Sequence, residues 1–321
     1  MKKLVSMTLF GVLAAMNVAV CAQTQFPARP MRIVVPYPPG GIDVVPRMVA
    51  DKLRQEWGQP VIIDNKPGAG GRIAAEFVAK SPADGYTLLL AQPDQLIILP
   101  LVSKNVPFDL GRDFAPVTVM FQQSLTLAVR NDLPVANIRE LVAMAKANPK
   151  KLTLSTWGEG STVHLGLELF KSMAGVDILH VPYKGAAPAM TALVAGEVDA
   201  MITGFYAAGP HIKSGRIRVI ARTSEARSPE MPDIPTISES YPGYSVGTWV
   251  GLVSPARTPH ALVDVIQRAV SRALVLPDIR ERIATLYAET VANTPDEFAK
   301  LLKEEHAKWA AVVRAAKIQV D

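Results

Sequence analysis

Cysteine is almost missing from this chain. Cys21 is the only one in 321 residues, and it lies at the end of an apolar amino-terminal stretch. An internal disulfide is therefore excluded, and once that stretch is removed no thiolate nucleophile or Cys-ligated metal is possible. Clustered basic charge is missing too. Lys and Arg outnumber Asp and Glu by 34 to 29, for a net charge of +5, yet the longest basic runs are Lys2-Lys3 and Lys150-Lys151. A nucleic-acid binder concentrates its charge on one helix or stripe, so that class is excluded. The diffuse excess still favours the approach of small anions. Beyond the first 22 residues no run of 18 apolar residues occurs, so no further segment reads as a membrane span.

Catalytic patterns are scarce as well. Gly158-Glu159-Gly160-Ser161-Thr162 has its serine out of place for a nucleophile elbow. No Gly-rich loop ends in the Lys-Ser/Thr pair of a phosphate loop. His164 and Glu168 share a helix face at i, i+4, but without an HExxH pattern they read as structural. His180, at the end of an apolar strand, reads the same way. No metal and no cofactor is expected.

What is present is a large apolar fraction, 49%, enough for a sizeable core. The length is about twice the ~150-residue prior for one domain, so two lobes are expected. The 26 prolines are scattered and read as turn markers. Lys2-Lys3, the apolar stretch Leu4–Ala19 and Val20-Cys21-Ala22 form a leader with cleavage expected before Gln23. Residues 1–22 are thus assigned as a signal peptide and the product to the periplasm. Lipidation of Cys21 is the open alternative to its removal.

The rest alternates short strands with amphipathic helices. Strands are predicted at Met31–Pro36, Pro60–Asp64, Tyr86–Ala91, Ser124–Val129, Leu152–Ser155, Ile178–Val181, Val198–Ile202, Ile217–Ala221 and Trp249–Val253. Helices are predicted at Val44–Trp57, Gly71–Lys80, Ile138–Ala147, Thr162–Ala174, Pro188–Ala195, Pro259–Leu274 and Pro295–Ala316. Arg227–Gly243, with four prolines, reads as loop. Two such βα series predict an α/β fold of two like lobes, each a sheet flanked by helices, with a cleft between. The first lobe is assigned to 23–129 and 225–321, where the C-terminal helices fall, and the second to 130–224.

Two Gly-rich turns stand out, one per lobe: Pro36–Asp43 and Ser155–Thr162. Each joins a strand to a helix amino terminus, where free N–H groups and the helix dipole attract anions. Ser161 and Thr162 add hydroxyls that also serve as caps, and Asp43 suits a first helical turn. A third turn, Gly68–Gly71, reads as turn geometry alone, since Ile73 stands where a dinucleotide fingerprint needs a small residue.

These stretches resemble the Bug family, the periplasmic solute-binding receptors of tripartite tricarboxylate transporters. The likeness runs through Arg29–Gly41 with Asp43, Asn65–Gly71, Asp84–Leu89, Arg112–Val117, Gly158–Ser161 with His164-Leu165, His180–Gly185, Pro232–Thr236 and Trp249–Leu252. It implies a two-lobed, type II-like periplasmic-binding fold that closes like a flytrap on a small carboxylate-bearing ligand. By the same resemblance, ligand contacts fall at Tyr37, Pro39, Gly40, Gly41, Ile42 and Asp43. In the second lobe they fall at Ser155, Thr156, Gly158, Ser161, Thr162 and His164, with Tyr183 from the His180–Gly185 stretch. Two rim segments depart from the family: Ala91–Gln95, where Gln92 and Asp94 replace small hydroxyl residues, and Thr203–Tyr206, which is expected to supply an aromatic wall, with Thr203 and Phe205 as ligand contacts.

The expected function is capture of a small organic acid and its delivery to integral membrane permease subunits, or to a sensor, by a monomer. An exported enzyme on the same scaffold is the alternative, as is a surface adhesion module. Main-chain groups and hydroxyls are expected to hold the acid without an arginine clamp, because no Arg or Lys lies within Tyr37–Pro46 or Ser155–Leu165.

Overall fold

The apolar run that opens the described chain becomes β1 (Met31–Val35), with Met31, Ile33, Val34 and Val35 all buried. A strand buried on both faces needs helices on both sides, which the following segments provide. The computed structural model describes residues 26–228 and 231–320; the expected signal peptide at 1–22, with Cys21, lies outside them. α1 (Val44–Trp57) buries Val45, Val49 and Leu53 at helical spacing and ends at Gly58, whose φ of 65° suits a left-handed cap. Then follow β2 (Val61–Asn65), α2 (Arg72–Ala79) and β3 (Thr87–Ala91). β1 pairs in parallel with both β2 and β3. A π-helical turn (Asp94–Ile98) leads to α3 (Leu99–Val102) and α4 (Leu110–Asp113).

β4 (Phe114–Arg130) is 17 residues long and serves both lobes. Its first part pairs antiparallel with β9 (Gly247–Pro255), as far as Ser124 opposite Gly247. From Leu125 onward it pairs instead with β7 (Ala200–Gly204) and β8 (Ile217–Arg222). The sequence of β4 marks the change: two buried apolar stretches flank Gln122-Gln123-Ser124, which are exposed or half-buried. The second lobe adds α5 (Ile138–Ala147), β5 (Thr153–Thr156), α6 (Thr162–Ala174), β6 (Leu179–Pro182), α7 (Ala186–Ala195) and α8 (Phe205–Lys213). β5 lies parallel between β6 and β7. The chain closes with α9 (His260–Leu274), α10 (Pro277–Thr285), β10 (Glu289–Thr290) and α11 (Pro295–Ala316). The fold is thus α/β and two-lobed, on a continuous curled sheet.

At the crossing, the Thr223 hydroxyl accepts from Leu125 N–H at 3.0 Å and donates to the Val246 carbonyl at 2.6 Å. Part of the segment predicted to return to the first lobe is bonded to the second: Arg222 N–H donates to Pro235, and the buried Tyr244 hydroxyl donates to the Gly166 carbonyl on α6. α11 packs on β4 and reaches α6, with Trp309 fully buried.

Several elements exceed the sequence expectation for identifiable reasons. Pro116 hides the first half of β4, because proline removes a ladder donor. Gly209 and Pro210 disguise α8, and α10 is largely polar.

Candidate functional site

A cavity of about 560 Å³ lies between the lobes, where the parallel strands end. In α/β sheets ligands collect at that edge. β1 leads to Tyr37 and Ile42, β3 to Gln92 and Asp94, β5 to Trp157, and β7 ends on Thr203 and Gly204; all line the cavity. The remaining walls are mostly apolar: Phe121 and Leu125 of β4, Val250 of β9, and Leu286 after α10. Of the residues singled out from sequence, Tyr37, Ile42, Gln92, Asp94 and Thr203 line this space.

The first Gly-rich turn is already partnered within the protein. Gly40 N–H donates to Asp43 Oδ1 at 2.9 Å, and the buried Asp43 carboxylate also takes Arg47 Nε and Nη2 at 3.0 and 2.6 Å. Burial alone would raise the Asp43 pKa, but Arg47, the Gly40 N–H and Asn65 together hold it below the ordinary value. Asn65 Nδ2 completes the knot by donating to the Tyr37 carbonyl at 2.9 Å. Pro39 and Gly40 are exposed, and Gly41 opens the short 3-10 turn beside them.

The second turn is also internally satisfied. Ser161 caps α6, accepting from His164 N–H and donating to the Gly158 carbonyl at 2.7 Å. Gly158 has a φ of 149° and Gly160 one of 65°, conformations that favour glycine. Ser155 is buried and donates weakly to the Ala189 and Ala200 carbonyls. Thr156 Oγ1 lies 2.7 Å from His180 Nε2. His164 Nδ1 accepts from Gly160 N–H at 3.0 Å, and its ring stacks on His180 at 3.9 Å. Burial lowers both histidines to about 4, with a nearby positive group adding to the effect in each case. Glu168 pairs with Lys171 at 2.7 Å. Among the described residues no group of three His, Cys, Asp or Glu is placed to hold a metal. Tyr183 packs into the apolar cluster under α7.

Thr162, expected to face a ligand acid, is instead bonded by the protein's own carboxylate. Asp94 Oδ1, from the first lobe, accepts from Thr162 N–H at 2.6 Å and from its hydroxyl at 2.5 Å. A carboxylate at a helix amino terminus is favourably placed. Burial nevertheless raises the Asp94 pKa, outweighing the Thr162 and Trp157 donors. Tyr37 is raised by burial and by the Asp94 charge, and its hydroxyl donates to Gln95 Oε1 at 3.3 Å.

The expected aromatic wall is carried by Tyr206 and not by Phe205. The Phe205 ring lies 4.5 Å from that of Tyr287, while Tyr206 lines the cavity. An arginine from outside the two Gly-rich turns lines the cleft. Arg47 and Arg72 bond within the first lobe, but Arg282 of α10 reaches the cavity. No local pattern marks Arg282, because α10 lies more than a hundred residues from either Gly-rich turn. Gly185, at the start of α7, was legible only as the end of the His180–Gly185 motif, and the neighbouring Ala186 carried no signal.

This arrangement of strand ends, Gly-rich turns and an interlobe cavity has close counterparts. A family model described as tripartite tricarboxylate transporter family receptor matches residues 45–318. The chain belongs to this receptor family. The protein BugT of Bordetella pertussis is 35% identical over 309 residues, covering 95% of this chain and 94% of BugT. Among solved structures, R. palustris Rpa4515 with adipate superposes with a TM-score of 0.81 at 35% identity, covering 92% of the receptor and 99% of that chain. MatC (Rpa3494) from Rhodopseudomonas palustris, with bound malate, gives 0.77 at 32% identity, with 90% and 100% covered. The receptor's fold is therefore the two-lobed periplasmic-binding fold, and its class is the solute-binding receptor.

Proposed function

We propose that this receptor captures a small organic acid in the interlobe cavity and passes it to integral membrane permease subunits without chemical change. The observation that carries the reading is the cavity itself: contributed by both lobes, apolar along its walls, and polar at a few convergent points, as ligand sites are. Solved relatives with adipate and with malate support the ligand class. The leader at 1–22 and the periplasmic relatives support export to the periplasm. Closure of the lobes about β4 and the Val246-Gly247 crossing would commit the ligand.

Native mass spectrometry of protein purified without added ligand tests this directly, because a tight-binding acid copurifies. The expected result is an adduct with the mass of a small carboxylic acid that is recovered unchanged after prolonged incubation. Conversion of that acid by the purified protein, above background, would point to an enzyme and refute the receptor reading.

A further inference from the structure

The cavity's two ends differ chemically. At one end stand Asp94 and Tyr37, with the α6 amino terminus already occupied by Asp94. A second ligand carboxylate arriving there would meet that carboxylate rather than free donors. At the other end stand Thr203 and Arg282. Thr203 is 1% exposed, lines the cavity, and its Oγ1 has no hydrogen-bond partner. Arg282 lines the same cavity, and its buried Nε has no partner either. Buried polar atoms are seldom left unpaired, so two residues that line one cavity and each carry an unpaired polar atom point to a ligand group that accepts from both.

The fold brings these orphans to the same end. Gly204, next to Thr203, abuts the Gln123 amide, which donates to the Leu286 carbonyl at 2.6 Å, and Leu286 lies one helical turn beyond Arg282. The first turn of α8, which follows Gly204, and the start of α7 also line the cavity, through Tyr206, Ala207, Gly185 and Ala186. Neither helix has a side-chain cap, unlike α6. Across the sheet, β3, which leads to Asp94, is separated from β10, which follows Arg282, by β9 and β4.

We infer that the ligand is a monocarboxylate whose acid group sits at the Thr203–Arg282 end, its apolar body lying along Phe121, Leu125 and Val250 toward Trp157. This rests on the acid-receptor reading above and narrows it: the receptor prefers a monoacid where the solved relatives hold diacids.

Isothermal titration calorimetry of the mature chain tests the inference with paired probes. Butanoate through octanoate and benzoate are set against succinate through suberate, malate and phthalate. The tightest binder should be a monocarboxylate. Arg282→Gln and Thr203→Val should each weaken it by about tenfold or more, the scale of one lost charge-assisted or buried hydrogen bond. Arg282→Lys should recover part of the loss, and the unfolding midpoint of Arg282→Gln should stay at the wild-type value, since Nε bonds nothing in the fold. A dicarboxylate binding tightest, or the best acid binding wild type and Arg282→Gln equally, would overturn the inference while leaving the receptor reading in place. Failure of wild-type protein to bind any of these acids would overturn both.

Discussion

Asp94 is the most informative residue to perturb, because it ties the lobes together at a point where a ligand was expected. Asp94→Ala removes the acceptor of two Thr162 donors, the N–H at 2.6 Å and the hydroxyl at 2.5 Å. Thr162 is fully buried, and an orphaned buried donor costs about 1–3 kcal/mol. Asp94 itself is half-buried at the cavity edge, so water reaches the vacated position and the lower part of that range applies to the pair together. At roughly 2 °C per kcal/mol for a chain of this size, the unfolding midpoint should fall by about 2–4 °C. Asp94→Asn behaves differently, since the amide keeps an oxygen for the Thr162 N–H and carries no charge to desolvate. The folded-state pKa of Asp94 is raised, so ionisation is less favourable in the folded than in the unfolded chain. Its contribution is present at low pH and is lost as pH rises through the folded value. Asp94→Asn should therefore match or exceed wild type above pH 7 and lose that advantage on acidification. Differential scanning calorimetry of the three proteins between pH 4 and 8 reads both effects. An unchanged midpoint for Asp94→Ala, or equal losses for Asn and Ala at pH 8, would refute this account of the Asp94–Thr162 contact.

Further outcomes follow from other parts of the molecule. Ligand-free Asp94→Ala should show a larger radius of gyration than wild type by small-angle scattering, and equal radii would count against Asp94 as a bridge between lobes. Gly251→Ala should destabilise by about 1–3 kcal/mol in urea, because its new Cβ would stand 2.9 Å from both the Thr118 carbonyl oxygen and the Phe298 ring. The His164–His180 stack predicts acid sensitivity. Both folded-state values are near 4 against an ordinary 6.5, so stability is full above pH 6.5 and declines as pH falls toward 4. His164→Gln should flatten that decline in a pH series of thermal melts, and a slope identical to wild type would show that the pair does not titrate as described.

Much of the architecture follows from local chemistry that any reader of the sequence can see. Strands such as Met31–Val35 are continuous apolar runs stopped by proline and glycine, and helices such as Val44–Trp57 carry buried residues at i, i+4 spacing. The Gly-rich turns are legible for the same reason, since a strand entering a helix through glycines is a local pattern. The sequence also set the family, because its motifs recur in order along nearly the whole chain. It did not reveal what those turns hold. Asp43 and Asp94 are unremarkable acids until the fold places one on Gly40 and the other, 68 positions upstream, on Thr162. Hydrogen-bond partners across lobes have no local signature.

The same reason hides the basic end of the cavity. Arg282 sits on a mostly polar helix with no motif, and only the path of β4 through both lobes, with β10 paired at its middle, brings that helix to the cavity that Thr203 also lines. The strand expected from Ser124 starts at the polar Gln122-Gln123-Ser124 stretch, whereas hydrogen bonds on either side of that stretch make it the middle of one strand that runs from one lobe into the next. Local periodicity determined which segments are strands and helices. Which acids, hydroxyls and cations share one cavity was decided by long-range pairing, because that depends on where the chain returns and not on what lies next to it.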